Sequence, residues 1–121
     1  MKNGMITDEY GNRRWYLNGK RHREDGPAIE RADRDRWWYH HGKRHREDGP
    51  AVEYATGHRE WYLNGKLHRA DGPAVEWASG HRNWYLNGVE YTFTEWLQVN
   101  PTLDDNTRLI YMLRYSDEAV A

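Results

Sequence analysis

Three short segments place an imidazole, a guanidinium and carboxylates within seven residues. His22–Ala28 reads HREDGPA, His45–Ala51 repeats it letter for letter, and His68–Ala74 reads HRADGPA. Imidazole and carboxylate side by side can ligate a metal ion or exchange a proton. The groups concerned are His22, His45 and His68 with Asp25, Asp48 and Asp71. A second concentration of reactive types is Arg31–His41, RADRDRWWYHH, with three Arg, two Trp, one Tyr and two His. Trp, Tyr and Arg are the residue types enriched where binding energy is concentrated.

The elements that must position these groups are set by an internal repeat of 23 residues. Trp15, Trp38, Trp61 and Trp84 keep that step, as do Gly19, Gly42, Gly65 and Gly88. The three histidines and three aspartates above follow it, with Pro27, Pro50 and Pro73 and with Glu30, Glu53 and Glu76. Gly11, Gly57 and Gly80 extend the register upstream, where Arg34 once takes the glycine's place. In one unit, Ala51–Tyr54 alternates as a half-buried strand and Thr56-Gly57 offers a turn. Arg59–Leu63 reads as a second strand, and Asn64-Gly65 is a strong hairpin signal. Asp71-Gly72-Pro73 then fixes the connection. The pattern predicts a mainly β fold: a single-layer twisted antiparallel sheet of stacked β-hairpin repeats over residues 1–91. A C-terminal α-helical cap over 92–121 completes the same domain.

The unit is similar to the MORN (membrane occupation and recognition nexus) type of repeat. The resemblance rests on the 23-residue step, the Asn18-Gly19-Lys20 and Asn64-Gly65-Lys66 corners and the aromatic pair beside them. The variant form W-Y-x-x-G-K-x-H-R-x-D-G-P-A also looks like repeats in proteins of bacteriophages and large DNA viruses. It carries Arg-x-Asp-Gly-Pro where the usual pattern has Gly-x-Gly. The resemblance covers about residues 7–91. It implies a β-hairpin repeat architecture and, through the phage-like form, an accessory protein that binds and modulates a host defence factor.

Sheet geometry constrains the chemistry. Neighbouring strands lie about 4.8 Å apart and each unit contributes two, so equivalent residues of successive units sit roughly 10 Å apart. A zinc ion needs every donor about 2 Å away, which His22, His45 and His68 cannot jointly satisfy. Ser79 and Ser116 are the only serines, and there is no cysteine. No metal, cofactor or enzymatic activity is expected. Trp15, Trp38, Trp61, Trp84, the repeat histidines and the repeat aspartates read as structural. Recognition is expected where units disagree: Arg31, Arg34, Arg36, Trp37, Tyr39, His40 and His41. Tyr54 and Trp77, which share a register position with Arg31, read as buried.

The formal net charge is −1 and the pI about 6.7, with seven Trp and nine Tyr against one Phe. Near neutrality argues against nucleic acid and anionic membrane as partners. The expectation is a cytoplasmic protein (host cytoplasm if viral) that binds a protein partner, with a nucleotide-like or other anionic small ligand as the alternative. An open N-terminal sheet edge could pair in a homodimer. At the other end Thr92-x-x-Glu95 predicts a short helix over 94–99. Asn100 and Pro101 predict a second over 101–115. Its stripe of Leu109, Ile110, Met112 and Leu113 is expected to cover the last hairpin or lie on one sheet face, or else to meet a partner.

Overall fold

The computed structural model describes residues 2–119. The strands run in chain order as β1 (Gly4–Thr7), β2 (Arg13–Leu17), β3 (Lys20–Arg21), β4 (Ile29–Glu30), β5 (Arg36–Trp37), β6 (Tyr39–His40) and β7 (Lys43–Arg44). They continue as β8 (Val52–Glu53), β9 (Arg59–Glu60), β10 (Tyr62–Leu63), β11 (Lys66–Leu67), β12 (Val75–Glu76), β13 (Arg82–Leu86) and β14 (Val89–Tyr91). The principal sheet is antiparallel and ten-stranded, in the order β1-β2-β4-β5-β8-β9-β12-β13-β14, with β3 paired to β2. The pairs β6-β7 and β10-β11 form two small hairpins beside it.

The second strand of each internal unit is interrupted, where the sequence pattern predicts continuity from Arg59 to Leu63. Trp61 causes the break: its N–H donates to Ala74 O and its carbonyl accepts from the His68 N–H. Both groups are therefore spent on the following connection rather than on the neighbouring strand. Trp38 does the same with Ala51 and His45. Strands β2 and β13 stay continuous because β1 and β14 pair along their length.

Register explains the recurring glutamates. Arg13, Glu30, Arg36, Glu53, Arg59, Glu76 and Arg82 face one another in turn across the sheet, opposite charges always adjacent. Opposite charges directly across a strand pair stabilise it by about 0.2–1 kcal/mol each. The neighbouring row on the other face carries Ile29, Trp37, Val52, Glu60 and Val75. Within it Ile29, Val52 and Val75 are buried.

The heptad is a folded device. The Arg23, Arg46 and Arg69 guanidinium carbons lie 3.8, 3.9 and 3.8 Å from the ring centres of Trp15, Trp38 and Trp61. Arg46 Nε donates to Asp48 Oδ1 at 3.1 Å, and its Nη1 donates to Pro50 O at 3.0 Å and Glu53 Oε1 at 3.3 Å. Arg23 and Arg69 make the same three bonds in their own units. The glycine immediately after the aspartate is needed for space: a Cβ on Gly49 would sit 2.9 Å from Arg46 Cζ, and one on Gly72 2.7 Å from Arg69 Cζ. Ala28, Ala51 and Ala74 follow, all fully buried.

The histidine joins one unit to the next. Each Nδ1 accepts a backbone N–H from the following hairpin turn, His22 from His41, His45 from Asn64 and His68 from Asn87, all at 2.9 Å. Those turn residues have φ of 48–50° and the next glycine is also positive, as a type I′ turn requires. The N-terminal edge imitates the device: Asn3 Oδ1 accepts from the Asn18 N–H at 2.7 Å, and Lys2 O from the Gly19 N–H. Strand β1 thereby completes the first unit, and its own residues are exposed.

Trp84 has no arginine to follow it. Three helices, α1 (Phe93–Val99), α2 (Asp105–Arg114) and α3 (Ser116–Ala119), close over it instead. Phe93, Trp96 and Tyr115 ring it at 4.7–4.9 Å, and Leu86, Leu97, Leu103 and Tyr111 complete the core. Thr92 and Glu95 form the expected capping box. The second helix begins later than the sequence predicts. Asn100 ends α1 and is buried, its Nδ2 donating to Ala70 O and its Oδ1 accepting from Thr102. Asp104 is the cap of α2. The expected inward stripe is also corrected: Leu109, Ile110, Met112 and Leu113 are exposed, and Tyr111 is the residue α2 buries. An aromatic cage around Trp84 selects Tyr111 and Tyr115 and so turns the aliphatic side outward.

Two outcomes follow from these contacts. Arg46→Lys keeps the charge but loses the planar stack and the fork, and should lower stability by about 1–2 kcal/mol in urea unfolding. Arg34 has φ of 80°, where the other units have glycine. Arg34→Gly should raise stability by about 0.5–1 kcal/mol, read as a higher melting temperature.

Candidate functional site

The divergent segment Arg31–His41 does not form one patch. Strand β5 keeps Arg36 and Trp37 in the principal sheet, whereas β6 carries Tyr39 and His40 into a small hairpin. Arg34 is occupied as a turn residue, and Arg36 is exposed between Glu30 and Glu53. Tyr39 lies under Arg21 at 5.5 Å and accepts from Arg44 Nε at 3.5 Å. Two separate clusters take up the remainder.

The first cluster gathers Arg31 and Trp37 with residues of the next two units. Residues paired across strands, or two apart along one, share a sheet face, so Arg31, Trp37, Tyr54, His58 and Trp77 all lie on the Val52 side. Arg31 Cζ is 5.3 Å from the Trp37 ring centre. Trp37 meets Tyr54 edge-on at 5.6 Å, Tyr54 meets His58 at 5.4 Å, and His58 meets Trp77 at 4.5 Å. Trp77, expected to be buried, is 48 % exposed. Its Nε1 donates to Asn83 Oδ1 at 2.7 Å, and Asn83 Nδ2 donates to Glu90 Oε2 at 2.9 Å. His58 Nε2 is 2.7 Å from Glu60 Oε2, and the Tyr62 hydroxyl donates to Glu60 Oε1 at 2.9 Å. Burial first, then the Glu60 charge, raises the Tyr62 phenol above its ordinary range. The result is an aromatic row across three units, bordered by a shallow cleft of about 560 Å³ between Tyr54 and Trp77.

The second cluster places His40 and His41 against the repeat histidine His22. Ring centres are 4.4–4.6 Å apart for all three pairs, and Glu24 Oε1 reaches His22 Nε2 at 2.7 Å. His22 hydrogen bonding holds the Glu24 carboxyl below the usual range. Burial, then His22 and His41, holds His40 low. The repeat step separates His22, His45 and His68, but the turn of the second unit lands on the histidine of the unit before it.

Sequence reasoning missed Tyr54, His58 and Trp77 as members of the row. The available signal was the recurrence of a ring at one register position in successive units, at Tyr54 and Trp77. His58 carried none, because His81 shares its position and is not part of the row. Among the described residues no serine or threonine hydroxyl hydrogen-bonds to the His22 or His58 ring. What the aromatic row offers is stacking, cation–π attraction and polar recognition, and the second cluster offers imidazole nitrogens beside a carboxylate.

Comparison with known protein families, curated proteins and solved structures found no match. Among the described residues no helix is long and apolar enough to cross a membrane.

The link between units carries a pH dependence. Burial holds His68 below its ordinary range, and its Nδ1 must stay unprotonated to accept from the Asn87 N–H. An unfolded chain, with His near 6.5, takes up the proton first as pH falls. Stability is therefore full above about pH 6.5 and declines below it. Melting temperature should drop as pH falls from about 6.5 to about 5, and His68→Asn, which copies the Asn3 contact, should flatten the drop. A melting temperature that rises on acidification would refute the sign.

Proposed function

We propose that the chain is a non-catalytic protein-binding repeat module whose contact face is the aromatic row from Arg31 to Trp77. The observation that carries this reading is that the row is assembled from positions where the units differ, on a sheet otherwise built of residues that recur. Trp and Tyr supply large contact area with few torsions to freeze, and Arg31 and Glu60 give the row a charged end and a charged flank. The sheet behind is stiff, since Trp37 shares its face with the buried Ile29 and Val52. Ordering costs at a pre-formed face are small.

A flat row suits a protein surface better than a small anion, which needs walls on several sides. The phage-like form of the repeat supports an accessory role in which the partner is a host defence factor met in the host cytoplasm. Trp37→Ala/Trp77→Ala tests the reading. In a cross-linked pull-down from host lysate the double variant should lose the specific partner. With that partner purified, the variant should bind about thirtyfold more weakly, as truncation of a hot spot costing about 2 kcal/mol does. Equal recovery by both proteins removes the row as the contact face.

A further inference from the structure

The second unit departs from the others at one turn. Units one, three and four place Leu17-Asn18, Leu63-Asn64 and Leu86-Asn87 there, and unit two places His40-His41. The backbone accommodates the change without alteration: φ is 48° at His41 and 50–52° at the three asparagines. The turn still docks on the preceding histidine, whose Nδ1 accepts the His41 N–H at 2.9 Å. Two additional imidazoles are thus delivered beside His22, and ring nitrogens of His22, His40 and His41 all lie within 4.8 Å of one another. Glu24 adds a carboxylate, with Oε1 3.7 Å from His40 Nε2. No such group arises at His45 or His68 among the described residues, where the incoming turn is Leu-Asn.

We propose that His40 and His41, brought together beside His22, form the core of a binding site for a divalent transition-metal ion such as Zn²⁺ or Ni²⁺, with Glu24, 3.7 Å from His40, as the carboxylate that closes onto it and His22 as the residue that positions it. Two imidazoles and a carboxylate are a donor set suited to these borderline ions. His22 itself is not a ligand. Its Nδ1 is occupied by the His41 N–H, so in the neutral ring the proton is on Nε2 and is donated to Glu24 at 2.7 Å. Ligation through Nε2 would require an imidazolate or the loss of the inter-unit hydrogen bond. The same two bonds instead hold the Glu24 carboxylate and the His41 backbone in place, as partners beyond the ligands of a metal site do. Donors about 2.1 Å from a tetrahedral ion stand roughly 3.4 Å apart. The 3.7 Å between Glu24 and His40 needs only a small closure, for which the 76 % and 43 % exposure of the two side chains leaves room. The fourth position would be taken by water or by a donor from a partner.

The test uses the full chain without an affinity tag, stripped with EDTA. Calorimetric titration with ZnCl₂ and with NiCl₂ should show one saturable ion per chain. Ni²⁺ should broaden the His40 and His41 ring resonances before those of His58 and His81. His40→Leu/His41→Asn restores the residues of the other units, so the fold should be retained by circular dichroism while affinity falls at least tenfold, and Glu24→Gln should weaken binding several-fold. If the double reversion does not fold, His40→Gln at a half-exposed side chain carries the same comparison. Absence of saturable binding overturns the proposal, and so does unchanged affinity in a folded reversion. The aromatic row is untouched by these substitutions, so the outcome is independent of the protein-binding reading.

Discussion

A guanidinium lying flat on an indole is the contact around which each unit is organised. It answers a shortage: the chain has few aliphatic residues, and a single-layer sheet has no second layer to bury its rings. The arginine covers the tryptophan face with its own plane and stem while its Nε and Nη1 groups donate to acceptors at the rim. The side chains of Arg23, Arg46 and Arg69 are only 18–23 % exposed, so the stacks belong to the partly desolvated class worth about 1–2 kcal/mol each. The aspartate, proline carbonyl and glutamate that hold the guanidinium, and the glycine that leaves room for it, are consequences of that one placement. The arginine, aspartate, glycine and proline of the heptad are thereby accounted for.

The same contact sets what the ends must do. At the first unit there is no preceding histidine, and Asn3 supplies an oxygen where a ring nitrogen would be. At the last there is no following arginine, and Trp84 is covered by the rings of Phe93, Trp96 and Tyr115. Trp96 Nε1 and Asn100 Nδ2 reach back to the carbonyls of Arg69 and Ala70. The helices are thus fastened to the last intact connection and not simply laid over the sheet. Arg82, which ends the row of alternating charges, finds Asp117 and Glu118 on α3 in place of another strand's glutamate.

The repeat step, the turns and the sheet were legible because they depend on local chemistry: Asn-Gly turns, alternating residues and a fixed period. The capping box of α1 was legible for the same reason. What could not be read was any relation between units. That His41 would dock on His22 follows from a stacking offset of nearly one unit, which period alone does not supply. The split of Arg31–His41 into two clusters follows from the break at Trp38, whose amide and carbonyl are claimed by a connection seven or more residues away. The exposure of Leu109, Ile110, Met112 and Leu113 was misread because helical spacing identifies a stripe but not which side the aromatic cage will choose.

Each joint between neighbouring hairpin turns includes the same two fasteners, a ring nitrogen receiving a turn amide and a backbone carbonyl receiving the glycine beside it. Each joint is therefore indifferent to how many precede it. Excising or inserting one whole period leaves both termini meeting the surfaces they already fit. Length in such a ribbon can change by duplication in steps of 23 residues, with no intermediate in which a mismatched seam must be tolerated, and the verbatim copy at His22–Ala28 and His45–Ala51 is what an array extended in this way would contain.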